Sequence, residues 1–135
     1  MKYPVITADD FRRLKAMIRL AKTSRPKPHL NALERELRRA TLVTPRRVPR
    51  GVVTMNSRVR VRDVGEGEPR VLTLAYPHHV RGGGESGLSV LTPLGTALLG
   101  RRVGDVVFHC ADGRSRKLRV EEVLYQPETA GDLHL

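Results

Sequence analysis

The sequence predicts an α+β fold, with a short antiparallel helical hairpin followed by an antiparallel sheet that carries one short helix. Three observations predict it. Apolar residues recur at helical spacing twice within the first 40 positions. From Val52 onward the apolar period changes to two. That second part contains no regular strand–helix–strand alternation of the kind that builds a parallel sheet.

The first helix is predicted from about 8 to 22. Thr7 stands where a hydroxyl caps the free amides of a first turn, and Asp10 follows three residues later, the place of a capping-box acid. Asp9 and Asp10 also suit the positive end of the helix dipole. Phe11, Leu14, Ile18 and Ala21, with Met17 beside them, form one apolar stripe. Pro26 and Pro28 end it. Leu30, Leu33, Leu37 and Ala40 repeat the 3, 4, 3 spacing, with Asn31 and Glu34 as a possible cap. Two matching stripes across a proline-rich turn read as an antiparallel hairpin, or short coiled coil, over 1–43. Such short arms bury little surface, so the hairpin is expected to need the rest of the chain or a partner for stability.

"TPRRVPRG", residues 44–51, reads as a linker stiffened by Pro45 and Pro49. The second domain is expected over 52–135. In "SRVRVRD" Arg58, Arg60 and Arg62 alternate with Val59 and Val61, the pattern of a strand with one wet face. "RVLTLAY" (70–76) and "LSVL" (88–91) are further strands, separated by a glycine-rich loop at 78–87. "TPLGTALLG" combines Thr92 as N-cap, Pro93 at the first helical position and Gly100 at the end of a short helix. "VGDVVFHC" and "RKLRVEEVLY" are two strands joined through the hairpin signal "ADGR".

Charge is distributed unevenly. The net charge is +11, and residues 1–50 hold 14 Lys and Arg against 4 acids, while residues 51–135 hold 11 against 10. A basic segment on a nearly neutral domain points to an acidic partner such as nucleic acid or an acidic protein surface. No stretch approaches the ~20 apolar residues of a membrane span, and the N-terminus has no signal-like apolar run. A cytoplasmic protein with no membrane association is expected. The single Cys110 makes no internal disulfide.

"TPLGTALLGRRVGDVV", followed by "LRVEEVLY", resembles the C-terminal domain of the Gre family of transcript-cleavage factors. "GVVTMNSRVRVRD" and "EVLYQPETAGDLHL" are similar to the Rnk branch of that family. The resemblance covers nearly the whole chain and is most specific at 52–63, 92–105 and 121–132. It implies an FKBP-like fold for the C-terminal domain and a bacterial RNA polymerase as partner. Members dock the C-terminal domain at the rim of the polymerase secondary channel and project a coiled coil, whose tip carboxylates help to hold a catalytic metal. The Rnk branch keeps the docking domain on a shorter coiled coil.

The hairpin tip departs from the cleavage-factor pattern. Between Asp10 and Glu34 the chain carries no carboxylate, and the tip instead holds Lys22, Arg25 and Lys27. Metal-assisted hydrolysis needs hard oxygen ligands. The expectation is therefore a non-enzymatic regulator that binds polymerase, does not stimulate cleavage and competes with Gre-type factors. The alternative is a nucleic-acid-binding module. Candidate basic contacts are Arg12, Arg13, Arg19, Lys22, Arg25, Lys27, Arg35, Arg38 and Arg39. Thr92 and Pro93 are candidate docking residues, because the matching corner of the family lies near its docking surface. Leu94, Gly95, Leu98 and Leu99 are assigned to the core.

No cofactor or metal is expected. His78–His79 and His109–Cys110 lack zinc-type spacing, and glycines 82–84 lack the Lys-Ser/Thr of a phosphate loop. No placed base accompanies Cys110. An FKBP-like fold raises prolyl isomerisation, whose pockets are aromatic-lined in that family, but Tyr76, Phe108 and Tyr125 are expected to be spent on the core and not on a pocket, and fold alone carries no activity.

Overall fold

A computed structural model describes residues 3–21, 28–65, 67–79, 87–111 and 113–133. The elements run β1 (Val5–Thr7), α1 (Ala8–Ala21), α2 (Pro28–Arg39), β2 (Thr41–Val43), β3 (Arg58–Asp63), β4 (Arg70–Ala75), β5 (Gly87–Ser89), α3 (Pro93–Leu98), β6 (Val106–Ala111), β7 (Arg114–Tyr125) and α4 (Pro127–Ala130). The fold is α+β with a mixed sheet of strand order β5-β4-β3-β7-β6.

Several expectations need correction. The sheet is not wholly antiparallel, because β5 runs parallel to β4, with Leu88 opposite Leu74. "LSVL" is strand only through Ser89, since Val90 turns to start the approach to α3. One short helix becomes two with α4, which ends on Gly131 at φ +85. The N-terminal segment holds two strands as well as two helices. β1 and β2 form a separate parallel ladder, pairing Val5 with Thr41 and Thr7 with Val43. α2 begins at Pro28, so Asn31 is inside it. A first-turn position suits proline, whose missing N–H would have had no intrahelical partner there.

The helical stripes bury as their spacing dictates. Leu14 and Ile18 of α1, and Leu30, Leu33 and Leu37 of α2, are buried in one cluster with Val59 and Val61 of β3, Leu74 of β4, Leu98 of α3 and Leu118 and Val120 of β7. The helices and the sheet thus share a core, which supplies the burial that two short arms lack. Thr7 does cap α1, accepting from the Asp10 N–H at 3.1 Å.

α3 sits unusually close to the chain that precedes it. A Cβ at Gly95 would fall 2.1 Å from the Ser89 carbonyl oxygen. Gly100, at φ +77, lets the N-terminal segment approach: a Cβ there would lie 2.6 Å from the Pro4 Cβ, and the Val5 N–H donates to the Gly100 carbonyl at 3.1 Å.

The 44–51 segment is fastened at both ends. It holds a 3-10 turn at Pro45–Arg47, and Val48 joins Val5 and Val52 in a small second cluster. The buried Gln126 amide donates to the carbonyls of Pro49 at 2.7 Å and Val52 at 2.8 Å, with a longer contact to Arg50 at 3.3 Å. Gln126→Ala is expected to cost about 1–3 kcal/mol, because it strips a buried carbonyl of its donor. A lower urea midpoint with unchanged slope would show it.

Candidate partner-binding surface

The basic residues of α1 and α2 do not act as one group. Arg12, Lys15 and Arg19 follow each other at spacings of three and four, so they share one exposed helix face. Arg35 and Arg38 do the same on α2. Between the helices lies a groove of about 300 Å³ lined by Phe11, Ile18 and Leu37, with Lys15, Arg19, Glu34 and Arg38 around it. Lys15 stands 5.4 Å from the centroid of the Phe11 ring. Lys15 was not among the residues the sequence singled out, although its i,i+4 spacing to Arg19 was the available signal.

Other candidates are engaged within the chain. Arg12 pairs with Asp9. Arg39 reaches Glu36 at 3.7 Å and lies over the Tyr3 ring at 5.8 Å. The same Glu36 takes the Arg101 guanidinium at 2.9 Å, tying α2 to the end of α3. Arg13 faces the Tyr76 hydroxyl and the Asp10 carboxyl. Arg19, Arg35 and Arg38 are exposed, as are Arg12, Arg13 and Lys15, and Arg46, Arg47 and Arg50 farther along. Lys22, Arg25 and Lys27 lie outside the described residues.

The Thr92–Pro93 corner is divided. Thr92 Oγ1 accepts from the Gly95 N–H at 3.0 Å and donates to the Ser89 carbonyl at 2.7 Å. Its hydroxyl is therefore spent on the cap. The Pro93 ring is exposed. Leu94, Gly95, Leu98 and Leu99 are buried, as assigned.

A buried polar cluster connects the helices to the sheet, and sequence reading did not find it. Asp10 is only 3% exposed, and its Oδ2 accepts from the Met55 N–H at 3.0 Å. Met55 belongs to the turn "TMNS", shaped by Asn56 at φ +67 and by the Ser57 N–H donating to the Thr54 carbonyl at 3.0 Å. Thr54 Oγ1 meets Ser57 Oγ at 2.8 Å and donates to Glu128 Oε1 of α4 at 2.7 Å. Burial raises the Asp10 carboxyl to about 7, only partly opposed by the Met55 amide, and Glu128 raises it further. Burial and the Asp10 charge also push the Tyr76 hydroxyl upward. The sequence signal was an acid on the apolar face, four residues before Leu14.

Among the described residues no group of three or more His, Cys, Asp or Glu gathers to hold a metal ion. His78 stacks on Tyr76 with ring centroids 5.9 Å apart. No helix among them is long and apolar enough to cross a membrane.

An α+β body with a cationic helical layer, built on these two sequence segments, has known relatives. Residues 48–125 match the family described as transcription elongation factor, GreA/GreB, C-term, and the chain belongs to that family. Residues 5–43 match the Rnk N-terminus. Within the family the chain is similar to the "Regulator of nucleoside diphosphate kinase" of Escherichia coli (strain K12), with 47% identity over 106 residues, 78% of this chain and 77% of that protein. The protein of the same name from Shigella flexneri matches equally.

Among solved structures, the "Prokaryotic transcription elongation factor GreA/GreB from Nitrosomonas europaea" has 37% identity and a TM-score of 0.77, covering 93% of this chain and 100% of that one. The GreA factor homolog 1 (Gfh1) of Thermus thermophilus, at 20% identity and a TM-score of 0.50, covers 92% of this chain and all of its own, and shares the fold alone.

Proposed function

We propose that this protein is a non-enzymatic transcription regulator that binds RNA polymerase near its secondary channel, does not stimulate transcript cleavage, and competes with Gre-type factors. One observation carries the reading: family membership extends over both segments, yet the chain has no carboxylate between Asp10 and Glu34. Asp10 itself is buried against the Met55 amide, and Asp9 is paired with Arg12. Neither is placed to hold a metal for a partner's active site. Residues 52–135, read as an FKBP-like docking domain, would supply the contact. The exposed Pro93 ring is its candidate point, and Thr92 holds that ring in place. The helical segment 1–43, joined to that domain through the shared core as well as the 44–51 linker, would be its short coiled-coil arm. The cytoplasm is the setting that this role requires.

A pull-down with core RNA polymerase at moderate salt tests the proposal. Retention of the chain, weakened by Pro93→Asp, is the expected result, and no retention would overturn it.

A second reading is favoured by the exposed trio Arg19, Arg35 and Arg38, with Lys15 beside them. Those cations suit the phosphates of a nucleic acid. Affinity would then fall steeply with salt, and reversing the trio to Glu would lower both affinity and salt slope. Unchanged duplex affinity in that variant would remove this reading.

A further inference from the structure

The two edges of the main sheet differ. β5, at one edge, is three residues long. β6, at the other, has six residues, "VVFHCA", with no lysine, arginine, acid or proline. Its pairing with β7 runs without a register shift, whereas β3 with β7 has two. Edge strands are ordinarily blunted by shortness, charge, proline or a bulge; within Val106–Ala111 β6 has none of these, and the Gly104–Asp105 bulge opposite Val120 lies just before it.

The ladder fixes which groups of β6 face outward. The Val120 N–H donates to the Asp105 carbonyl at 2.9 Å, and the Gly104 N–H to the Val120 carbonyl at 2.8 Å. Antiparallel alternation then turns the backbone of Val107, His109 and Ala111 toward β7. The N–H and C=O groups of Val106, Phe108 and Cys110 point to the open edge. Val107 is buried on the core face, so the Val106 and Phe108 side chains lie on the outer face, 38% and 63% exposed.

The same outer face is cationic. Lys117 stands opposite Phe108 and Arg119 opposite Val106, and both are exposed. The Lys117 ammonium leans toward β6, 5.5 Å from the Phe108 ring centroid. Among the described residues neither cation has an ion pair with a carboxylate. By contrast, Arg60 and Arg62 on β3 are held by Glu121 at 3.2 and 2.7 Å.

We propose that β6 is a docking edge for an extended acidic segment of another protein, added as a sixth strand beside Val106–Ala111. Its backbone would take the open groups of Val106, Phe108 and Cys110, an apolar side chain would cover Phe108, and carboxylates would meet Lys117 and Arg119. A second copy of this chain fits less well, because it would set two more cations against these two. The proposal is independent of polymerase binding, and so is its test.

The test uses the full chain and a synthetic strand whose one face carries Glu, Val and Glu at alternate positions, with threonine on the other face, so that the valine can cover Phe108 while the glutamates reach Lys117 and Arg119. Amide hydrogen exchange is followed at Val106, Phe108 and Cys110, and sedimentation reports self-association. The expected result is exchange slowed by about tenfold or more at these three amides with the Glu/Val peptide. A Lys/Val peptide should give no protection, and Phe108→Glu, at an exposed site that leaves the fold intact, should abolish it. Absence of protection at saturating peptide would overturn the proposal, as would equal protection by the Lys/Val peptide. Protection that grows with protein concentration alone would replace the acidic partner by a second copy.

Discussion

Replacing Gly95 by alanine is expected to lower stability by about 3 kcal/mol or more, the range of severe overpacking. The added Cβ would fall 2.1 Å from the Ser89 carbonyl oxygen and 2.9 Å from both the Ser89 carbonyl carbon and the Val90 Cα. All three are backbone atoms, so no rotamer change relieves the clash. Nor can α3 withdraw freely. The Thr92 cap and the Thr96 hydroxyl, which donates to the Val90 carbonyl at 2.7 Å, hold it to that segment, and Leu94, Leu98 and Leu99 anchor it in the core. Chemical denaturation followed by circular dichroism measures the effect. A variant within about 1 kcal/mol of the parent would contradict the close packing of α3.

Asp10→Asn is expected to change the pH dependence of stability. The folded carboxyl sits near 7 against an ordinary value of 3.8, chiefly because burial penalises its charge. Below pH 3.8 the group is protonated whether folded or unfolded, and it costs nothing. Between 3.8 and 7 the unfolded chain releases the proton while the folded chain keeps it, so stability falls as pH rises. Above 7 the full cost is present. At about 1.36 kcal/mol per pH unit this contribution spans up to roughly 4 kcal/mol. Asparagine keeps an oxygen for the Met55 amide and carries no charge. The variant is therefore expected to gain on the parent from about pH 4 to pH 7, with the curves parallel above that. Denaturation midpoints at pH 4, 6 and 8 check it, and a difference between parent and variant that does not grow with pH would contradict the assignment.

Periodicity made much of this fold legible. The stripes of α1 and α2, the alternation of Arg58–Asp63 and the "ADGR" hairpin are local patterns that the tertiary structure keeps. β1 and β2 were not legible, because three residues cannot show a period and their ladder depends on Gly100 admitting Pro4 and Val5. The parallel pairing of β5 was hidden for a similar reason, since the direction of a short strand is set by the crossover before it and not by its own residues.

The candidate surface was legible as charge but not as geometry. Composition placed the cations in the first 50 residues. It could not tell that Arg39 would lie beside Glu36 and Tyr3, or that Arg13 would face Tyr76, while Arg19, Arg35 and Arg38 stayed exposed. Asp10 shows the converse. As a capping-box acid it belonged to the helix start, yet its carboxylate reaches across to Met55, 45 residues away in sequence. The cap that forms is the Thr7 oxygen on the Asp10 N–H, with the Asp10 carboxyl also meeting the Thr7 hydroxyl.

The most direct test of polymerase binding is competition. Core RNA polymerase is loaded with a labelled Gre-type cleavage factor, this protein is titrated in, and both displacement and transcript cleavage are followed. The account predicts displacement with a parallel fall in cleavage. Failure to displace the factor at large excess would contradict it and bring the nucleic-acid reading forward, and displacement with cleavage sustained would contradict the claim that the arm is catalytically inert.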